Sequence, residues 1–450
     1  MSLLKISIAG VRGVVGEALA PELLIQFAQA MGTYTGGKIA VCRDSRRSGE
    51  MALASVTAGL LATGCEVINL GLCPTPSMQL YVRQNKLSGG IAVTAGHNPE
   101  EWNALKFVRS DGIYFNALQG EELLDVYHQG EFDKAKWNEL KPVADQPGAA
   151  EAHVKWILQH VDVERIRRRR FKVALDCCNG ACTFASQLLL DRLGCDAYPI
   201  NDNVTERLPH DPNPSGGNLS QLKAVVKASR ADIGFCHDAD GERLGLVTDK
   251  SQPLNQEKTF ALAARILLER NPGVVVTNLS TSRMIDDLAA RFGGSVVRTP
   301  VGQAFVSEKM RETNAVVGGE GSGGVIVPRV QLTNDSLAVI AVLLDFMAEK
   351  HCSVSELDLE LPRYFLKEKD VVLAPYQIFA ALQNLRSELE SQGEVVDFAD
   401  GIKWDWKDGW LHIRASNTES LIRVIAEARE ESRALELLDQ ALARLGSVAG

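Results

Sequence analysis

A loose pattern of strand, helix, glycine and second strand occurs three times in this chain, and it constrains the fold more than any other feature. The copies lie within residues 38–70, 171–198 and 273–298, and the glycines before the second strand are Gly64, Gly194 and Gly293. Apolar, β-branched strands that alternate with amphipathic helices form βαβ units and largely parallel sheets. The pattern therefore predicts three related α/β domains, although one long sheet would also accommodate so loose a repeat.

The last part of the sequence follows a different pattern. Short apolar strands flank a helix over 376–392, and a second helix covers 431–445. Consecutive short strands with helices at either end are typical of an α+β module with antiparallel strands. We therefore expect four domains, over residues 1–146, 147–250, 251–360 and 361–450.

The composition argues against several classes of function. The net charge is -9, and the one basic run, at 165–170, is typical of a solvated helix end, so nucleic acid is not expected as a partner. No apolar run approaches the roughly 20 residues of a membrane span, and no signal peptide is evident. The nine cysteines lack paired metal spacing, and several, such as Cys42 and Cys236, lie in apolar segments that suit reduced, buried thiols. We expect a cytoplasmic protein without a membrane partner, as a monomer or a homodimer.

One segment places three carboxylates at every second position of a turn. Asp238, Asp240 and Glu242 can converge on one point only if the backbone curls. Gly241 allows this curl because glycine readily adopts left-handed backbone angles. A group of hard oxygen ligands suits Mg²⁺, and Arg243 beside it would hold a phosphate. The alternative is a solvated acidic turn that ends a strand.

Two segments near the start of the chain suit a phosphorylated ligand. Glycines flank Arg12, which can then reach a phosphate without crowding, although a plain turn has the same pattern. In Val93-Thr-Ala-Gly-His-Asn-Pro99, small and polar residues follow a strand and can present backbone N–H groups to a ligand. Lys106 could act as a general acid or base or as a phosphate ligand, whereas His97 could also be a capping or core histidine.

A glycine-rich loop and an arginine-containing turn complete the candidate segments. Gly318-Gly-Glu-Gly-Ser-Gly-Gly324 opens the backbone around Glu320 and Ser322, so that Glu320 can accept hydrogen bonds from sugar hydroxyls. The apolar strand that follows argues against a flexible linker. The later turn has the side chains of a dianion site, namely Arg414, Ser416, Asn417 and Thr418, with Arg423 downstream.

Taken in order, these five segments resemble the α-D-phosphohexomutase superfamily, which contains phosphoglucomutases, phosphomannomutases and phosphoglucosamine mutases. The resemblance covers essentially the whole chain and keeps the order of the family's motifs. It implies three α/β domains and a C-terminal α+β domain around a central cleft. It also implies an Mg²⁺-dependent phosphoserine enzyme that interconverts hexose 6-phosphate and hexose 1-phosphate through a 1,6-bisphosphosugar.

The resemblance assigns roles to individual residues. Glu242 replaces the usual third aspartate of the metal loop, and its longer side chain can still ligate. The matched positions are Asp238, Asp240 and Glu242 for the metal, Arg12 and Lys106 near the transferred phosphate, Arg243, Glu320 and Ser322 for the substrate, and Arg414, Ser416, Asn417 and Thr418 for the phosphate-binding loop.

The important departure from the family is Gly96. The family's loop reads Thr-Ala-Ser-His-Asn-Pro, and its serine carries the phosphate, whereas Gly96 has no hydroxyl. The expected nucleophile and the fourth metal ligand are therefore missing. His97 or Thr94 could accept the phosphate instead, the site could bind a bisphosphosugar without a covalent intermediate, or the chain could keep only binding.

Two functions are compatible with these residues. The first is a phosphohexomutase for mannose, glucose or glucosamine phosphates, with Mg²⁺ and a hexose 1,6-bisphosphate as activator or intermediate, because the other motifs are intact. The second is a phosphosugar-binding protein or sensor, because Gly96 replaces the phosphoserine. No residue distinguishes a hydroxyl from an amine at the 2-position of the sugar, so the hexose stays open.

Overall fold

The computed structural model describes residues 4–7, 10–416 and 421–449. These residues form four sheets, and each sheet lies within one of the four predicted segments. The predicted architecture of three α/β domains and a C-terminal α+β domain is confirmed.

The first domain is built on a seven-stranded sheet of order β1-β2-β6-β5-β3-β4-β7. Its elements are β1 (Leu4–Ser7), β2 (Gly10–Val14), α1 (Pro21–Thr35), β3 (Lys38–Arg43), α2 (Gly49–Ala62), β4 (Glu66–Leu72), α3 (Thr75–Gln84), β5 (Gly89–Val93), β6 (Trp102–Arg109), α4 (Ala117–Gln129) and β7 (Ala144–Asp145).

The second and third domains each have a four-stranded sheet. The second contains α5 (Ala149–Leu158), α6 (Val163–Arg169), β8 (Lys172–Asp176), α7 (Thr183–Arg192), β9 (Asp196–Ile200), a short 3-10 helix (Gly216–Leu219), α8 (Ser220–Ser229), β10 (Ile233–His237) and β11 (Leu244–Thr248). The third contains α9 (Gln256–Arg270), β12 (Val274–Asn278), α10 (Met284–Arg291), β13 (Ser295–Thr299), α11 (Gln303–Thr313), β14 (Val317–Glu320), β15 (Gly324–Ile326), α12 (Ser336–Lys350) and α13 (Val354–Leu359).

The fourth domain has a five-stranded antiparallel sheet covered by two long helices. Its elements are β16 (Phe365–Val372), α14 (Pro375–Ser391), β17 (Val396–Asp397), β18 (Ile402–Asp405), β19 (Gly409–Ala415), β20 (Leu421–Ala428) and α15 (Glu431–Ala449). The first strand, β16, lies at an edge of the sheet and is rich in exposed charged residues.

The repeat extends further than the sequence pattern shows. The orders β6-β5-β3-β4, β11-β10-β8-β9 and β15-β14-β12-β13 are the same arrangement, with three parallel strands and an antiparallel fourth joined as a hairpin. Gly64, Gly194 and Gly293 have φ angles of 82°, 68° and 72°, so each supplies the left-handed exit from its helix. Three related domains therefore present three equivalent hairpin loops.

Helix α12 joins the second and third domains. Nearly all of its residues are buried, and it packs against α5, α6, α7 and α9. A helix that is apolar on every side must be enclosed by protein.

All nine cysteines have free thiols. Cys42, Cys65, Cys178 and Cys236 are buried, as expected. In the described part of the chain, no helix combines the length and apolar character needed to cross a bilayer.

Candidate active site

Three equivalent hairpin loops meet at the candidate active site. The β5–β6 connection carries Gly96, the β10–β11 connection carries the carboxylates, and the β14–β15 connection carries Ser322. A β-bridge between Arg243 and Gly324 joins the second loop to the third, and the Leu244 N–H donates to the carbonyl of Gly323 over 3.1 Å. The repeated topology therefore brings together segments that are far apart in sequence.

Gly96 is buried and faces the carboxylate loop. Its φ angle is +55°, and its N–H donates to Oγ1 of Thr94 over 3.0 Å. A Cβ atom added there would lie 3.3 Å from Oδ1 of Asp240 and 3.4 Å from Nζ of Lys106. The first atom of any side chain at this position would thus enter the candidate phosphoryl-transfer site.

The two aspartates of the carboxylate loop, Asp238 and Asp240, are almost completely buried, since each is only 1% exposed. Oδ1 of Asp238 accepts the N–H groups of Gly241, at 2.9 Å, and Arg243, at 3.1 Å, and Gly241 has the left-handed φ of +81° that the curl requires. Burial and the charge of Asp240 raise the pKa of Asp238 well above its usual value. Oδ1 of Asp240 is buried and has no hydrogen-bond partner among the described residues. Two adjacent buried carboxylates with an unpaired oxygen fit a hard divalent cation.

Glu242 does not join these two carboxylates at one point. Within the described ranges, one group of three His, Cys, Asp or Glu side chains has ligand atoms within 4.8 Å of one another, and it is a different group. The expected convergence of all three carboxylates is therefore not present in this structure. The physical reason is Lys106, because Glu242 binds its ammonium group and also accepts the hydroxyl of Tyr114.

Lys106 extends from β6 between two carboxylates. Its Nζ lies 2.6 Å from Oδ2 of Asp240 and 2.6 Å from Oε2 of Glu242. Burial alone would lower the pKa of Lys106, but the charges of Asp240 and Glu242 outweigh burial and raise it. Lys106 is therefore held as an ammonium ion, which argues against the general-base role and leaves the proton-donor and phosphate-ligand roles.

Cations surround the Gly96 loop. Arg12 donates from Nη1 to Oδ1 of Asn98 over 3.2 Å, and burial and the nearby charge of Arg243 lower its pKa. Burial lowers the pKa of His97 well below its usual value, and the charges of Arg243, Arg12, Lys106 and Arg46 lower it further. Neighbouring guanidinium groups in a partly buried site favour an anion, and His97 is neutral beside them.

Asp44 and Arg46, which sequence reasoning missed, hold this loop. Arg46 donates to the carbonyls of Gly96 and Asn98, both at 2.7 Å, and its Nε lies 3.0 Å from Oδ2 of Asp44. The same Asp44 oxygen accepts the hydroxyl of Thr94 over 2.6 Å, so Thr94 maintains the loop. The polar run directly after β3 is the sequence signal for this contact. Because the parallel strands β3 and β5 end side by side, the residues after β3 lie next to the Gly96 loop, which follows β5.

The glycine-rich loop presents Glu320 and Ser322 beside the carboxylate loop. Oε1 of Glu320 accepts from Nδ2 of Asn278 over 2.7 Å and from the N–H of Gly302 over 3.1 Å. Ser322 is partly exposed in the turn that joins β14 to β15. Protein donors therefore orient the Glu320 carboxylate through one oxygen, Oε1.

The fourth domain places Arg414 at the end of β19. Its Nε donates to Oδ2 of Asp400 over 3.1 Å, and its Nη2 is buried with no partner among the described residues. Asp400 also accepts the N–H of Val301 over 2.8 Å, and His412 bonds to Ser280 over 2.8 Å, so this domain is docked on the third. Ser416 is partly exposed, and the predicted ligands Asn417 and Thr418 lie outside the described residues.

Four family models match this chain. They are phosphoglucomutase/phosphomannomutase alpha/beta/alpha domain I at residues 4–134, domain II at 151–251, domain III at 255–365, and the C-terminal domain at 367–445.

Curated relatives match over nearly their whole length. A probable phosphoglucosamine mutase of Methanopyrus kandleri is 36% identical over 436 residues, which are 96% of this chain and 95% of the relative. A phosphoglucomutase/phosphomannomutase of Thermococcus kodakarensis is 35% identical over 439 residues, covering 96% of both chains.

Solved structures match the fold. A phosphoglucomutase/phosphomannomutase family protein of Burkholderia thailandensis superposes with a TM-score of 0.85 at 26% identity and covers 99% of this chain and 97% of its own. An Aspergillus fumigatus N-acetylphosphoglucosamine mutase in complex with glucose 1,6-bisphosphate has a TM-score of 0.62 at 17% identity, over 98% of this chain and 95% of its own.

Proposed function

Since this chain belongs to the phosphoglucomutase/phosphomannomutase family, we propose that it interconverts hexose 6-phosphate and hexose 1-phosphate through a 1,6-bisphosphosugar. Glucosamine, mannose and glucose phosphates are the candidate substrates, because the relatives are named for them. The glucosamine phosphates are tested first, since a relative of 36% identity is a probable phosphoglucosamine mutase.

The observation that carries this proposal is the position of Gly96. Its Cα faces the Asp240 carboxylate and the Lys106 ammonium, and Arg12 and Arg243 lie nearby. A phosphoryl group there would meet cations on several sides. Phosphoryl transfer depends mainly on positioning and on stabilising charge, and this arrangement supplies both.

Each side chain has a defined task in the proposed reaction. Arg12 and Arg243 bind the phosphoryl oxygens, and Lys106 gives a proton to the sugar oxygen when its P–O bond breaks. Asp238 and Asp240 would hold Mg²⁺, and bound Mg²⁺ would neutralise charge on the transferred group. Glu242 could complete that shell only after releasing Lys106.

The other end of the sugar is recognised separately. Glu320 accepts hydrogen bonds from sugar hydroxyls, with Ser322 beside it, and Arg414 binds the phosphate that is not being transferred. Ser416, Asn417 and Thr418 follow Arg414 in sequence and would add hydroxyl and amide donors to this phosphate site.

His97 is the proposed phosphoryl acceptor in place of the missing serine. The Thr94 hydroxyl is buried and bound to Asp44, whereas the neutral His97 imidazole retains a lone pair among cations. Attack by this nitrogen forms an N–P bond as the P–O bond to the sugar breaks, and the sugar oxygen takes its proton from Lys106.

The test follows phosphorus NMR of hexose 1-phosphates with Mg²⁺ and a trace of the matching 1,6-bisphosphate. Conversion to a 6-phosphate supports the mutase, and release of free phosphate alone contradicts it. Mass spectrometry of the protein after bisphosphate treatment then looks for an acid-labile phosphoryl group, which His97→Asn should remove. An active protein without that group would transfer phosphate without a histidine intermediate.

The second candidate function is phosphosugar binding without turnover, which the absent hydroxyl at Gly96 favours. It predicts tight binding of hexose 1,6-bisphosphate, no conversion of any of the three sugars, and no protein phosphorylation. A cytoplasmic location and a monomeric or homodimeric state stay predictions from the sequence.

A further inference from the structure

A second cluster of ligating side chains lies in the second domain. Asp176 ends β8, Cys236 is its partner on β10, and His210 comes from the segment between β9 and the 3-10 helix. One ligand atom from each lies within 4.8 Å of the others. The Asp176 and Cys236 side chains are fully buried, and the His210 side chain is only 13% exposed.

The hydrogen bonds of His210 require either a proton or a metal ion at its Nε2. Its Nδ1 lies 2.8 Å from the carbonyl of Asp211, and a carbonyl can only accept, so Nδ1 carries a proton. In a neutral imidazole, the Nε2 lone pair would then face Oδ2 of Asp176 at 3.1 Å. Two lone pairs at this distance repel, so either a proton or a metal ion must lie between them.

The Asp176 carboxylate is oriented for a ligand at the same oxygen. Its Oδ1 accepts the N–H of Cys178 and Nδ2 of Asn201, both at 3.0 Å. Oδ2 is thereby directed at His210, and one oxygen of the carboxylate lies within 4.8 Å of the Cys236 thiol. Metal-ligating carboxylates and histidines are commonly fixed by such outer hydrogen bonds, and the Asp211 carbonyl serves His210 in the same way.

We propose that Asp176, His210 and Cys236 bind Zn²⁺, with the fourth position open to water. A thiolate, an imidazole and a carboxylate are a zinc ligand set, and their two negative charges balance the ion in a buried site. Zinc bonds of about 2.0–2.3 Å place tetrahedral ligand atoms about 3.3–3.8 Å apart, so no pair of ligand atoms must close by more than about 1.5 Å. Binding releases the thiol proton to solvent.

The ion would fasten an irregular segment next to the catalytic loop. The segment over 201–215 has no strand or α-helix, and His210 would tie it to the sheet. Its Arg207 bonds to Oε2 of Glu100, near the end of the Gly96 loop, over 3.0 Å. This site differs from the Mg²⁺ loop in ligand chemistry and does not depend on the proposed mutase reaction.

Cobalt substitution of the full-length protein tests the site. After chelation and dialysis, we expect one equivalent of Co²⁺ to give thiolate-to-metal charge-transfer absorption, which Zn²⁺ removes. Cys236→Ser should abolish the absorption, and His210→Asn should weaken Co²⁺ binding by at least about 100-fold. Zn²⁺ should raise the Tm of the native chain but not of either variant.

Two control variants separate this site from its neighbours. Cys178→Ser removes an adjacent buried thiol outside the cluster, and Asp238→Asn alters the Mg²⁺ loop, so both should keep the Co²⁺ absorption. Absence of the thiolate absorption in the native chain, or its survival in Cys236→Ser, would overturn the proposal in favour of a protonated His210 paired with Asp176. Mutase assays do not enter this comparison.

Discussion

A Cβ atom at Gly96 would lie 3.3 Å from Oδ1 of Asp240, the carboxylate oxygen that has no partner among the described residues. A hydroxyl attached to that Cβ would be adjacent to the proposed metal ligand and to Lys106. The charged surroundings of Gly96 therefore fit the proposed phosphoryl-transfer site, at a position where the chain has no side chain.

Gly96→Ser should accept an acid-stable phosphoryl group from hexose 1,6-bisphosphate. The left-handed φ of +55° costs a serine about 1–2 kcal/mol, which a folded protein tolerates. Because the proposed mutase already has an acceptor, we expect its turnover to stay the same or fall. Intact mass and acid lability report the phosphoryl group on the protein, and phosphorus NMR measures the turnover.

Gly96→Ala is the matched control, since it carries the same backbone strain without the hydroxyl. It should match the serine variant in Tm and should not form the acid-stable product. A rise in turnover of 10-fold or more in the serine variant alone (about 1.4 kcal/mol of barrier) would favour the binding-protein alternative over the mutase.

Lys106→Met should destabilise the protein by about 3–5 kcal/mol in the absence of Mg²⁺, because it leaves Asp240 and Glu242 buried without their cation. Mg²⁺ should recover more stability in this variant than in the native chain, since both carboxylates become free to ligate. Thermal unfolding with and without Mg²⁺ measures the difference.

Turnover adds an independent readout for Lys106. Loss of the proton donor should lower kcat by about 10²–10⁴-fold even with Mg²⁺ saturating. Lys309→Met, on an exposed helix face next to Glu312, serves as the control and should change neither quantity. Equal stabilisation by Mg²⁺ in Lys106→Met and in the native chain would contradict the proposal that Lys106 and Mg²⁺ compete for Asp240 and Glu242.

The repeat and its loops could be predicted because they leave local signals. Apolar strands, the exit glycines and Gly241 mark the backbone, and the carboxylate spacing marks the second hairpin. Local patterns do not report on contacts between domains. For this reason the ion pairs of Lys106 with Asp240 and Glu242, which lie more than a hundred residues away in sequence, could not be foreseen.

Other features were hidden for the same physical reason. Arg46 reads as one charge in a polar turn, yet it is only 2% exposed and binds carbonyls of the Gly96 loop. Likewise, the neighbourhood of Asp176, His210 and Cys236 results from pairing β8 with β10 and from a long connection returning to that edge. The spacing of these three residues in the sequence does not predict that they form a cluster.

Glu257 should make stability fall as pH rises. Burial and the charge of Glu427 raise its pKa from 4.5 to about 8. Between these values the unfolded chain has lost a proton that the folded chain keeps, so the folded state loses stability with increasing pH. Glu257→Gln keeps the side chain uncharged at every pH. Between about pH 5 and about pH 9, the free energy of unfolding of this variant should therefore fall by on the order of 3 kcal/mol less than that of the native chain.

Urea unfolding across that pH range measures the effect, and Glu436→Gln on the exposed face of α15 is the matched control. The control should follow the native chain. A Glu257→Gln curve parallel to the native one would show that Glu257 ionises without cost. Gly321→Ala supplies a second check, since its Cβ would overlap the Glu257 carboxylate and should lower the Tm.

Arg414→Lys should weaken hexose phosphate binding by about 10–100-fold, or roughly 1.4–2.8 kcal/mol, because an ammonium group cannot replace a bidentate guanidinium. Asp400 holds Nε of Arg414 at 3.1 Å and leaves Nη2 buried without a partner in the described residues, so the guanidinium is already oriented for an anion. Calorimetric titration with glucosamine 6-phosphate and with glucosamine 1,6-bisphosphate measures the change.

Arg433→Lys controls for the loss of an arginine away from the site, because the guanidinium of Arg433 pairs with Asp408 and Glu436 in the same domain. Unchanged affinity in Arg414→Lys, with reduced affinity in Arg12→Lys, would mean that the substrate phosphate is bound by the first domain alone and that Arg414 has only a structural role.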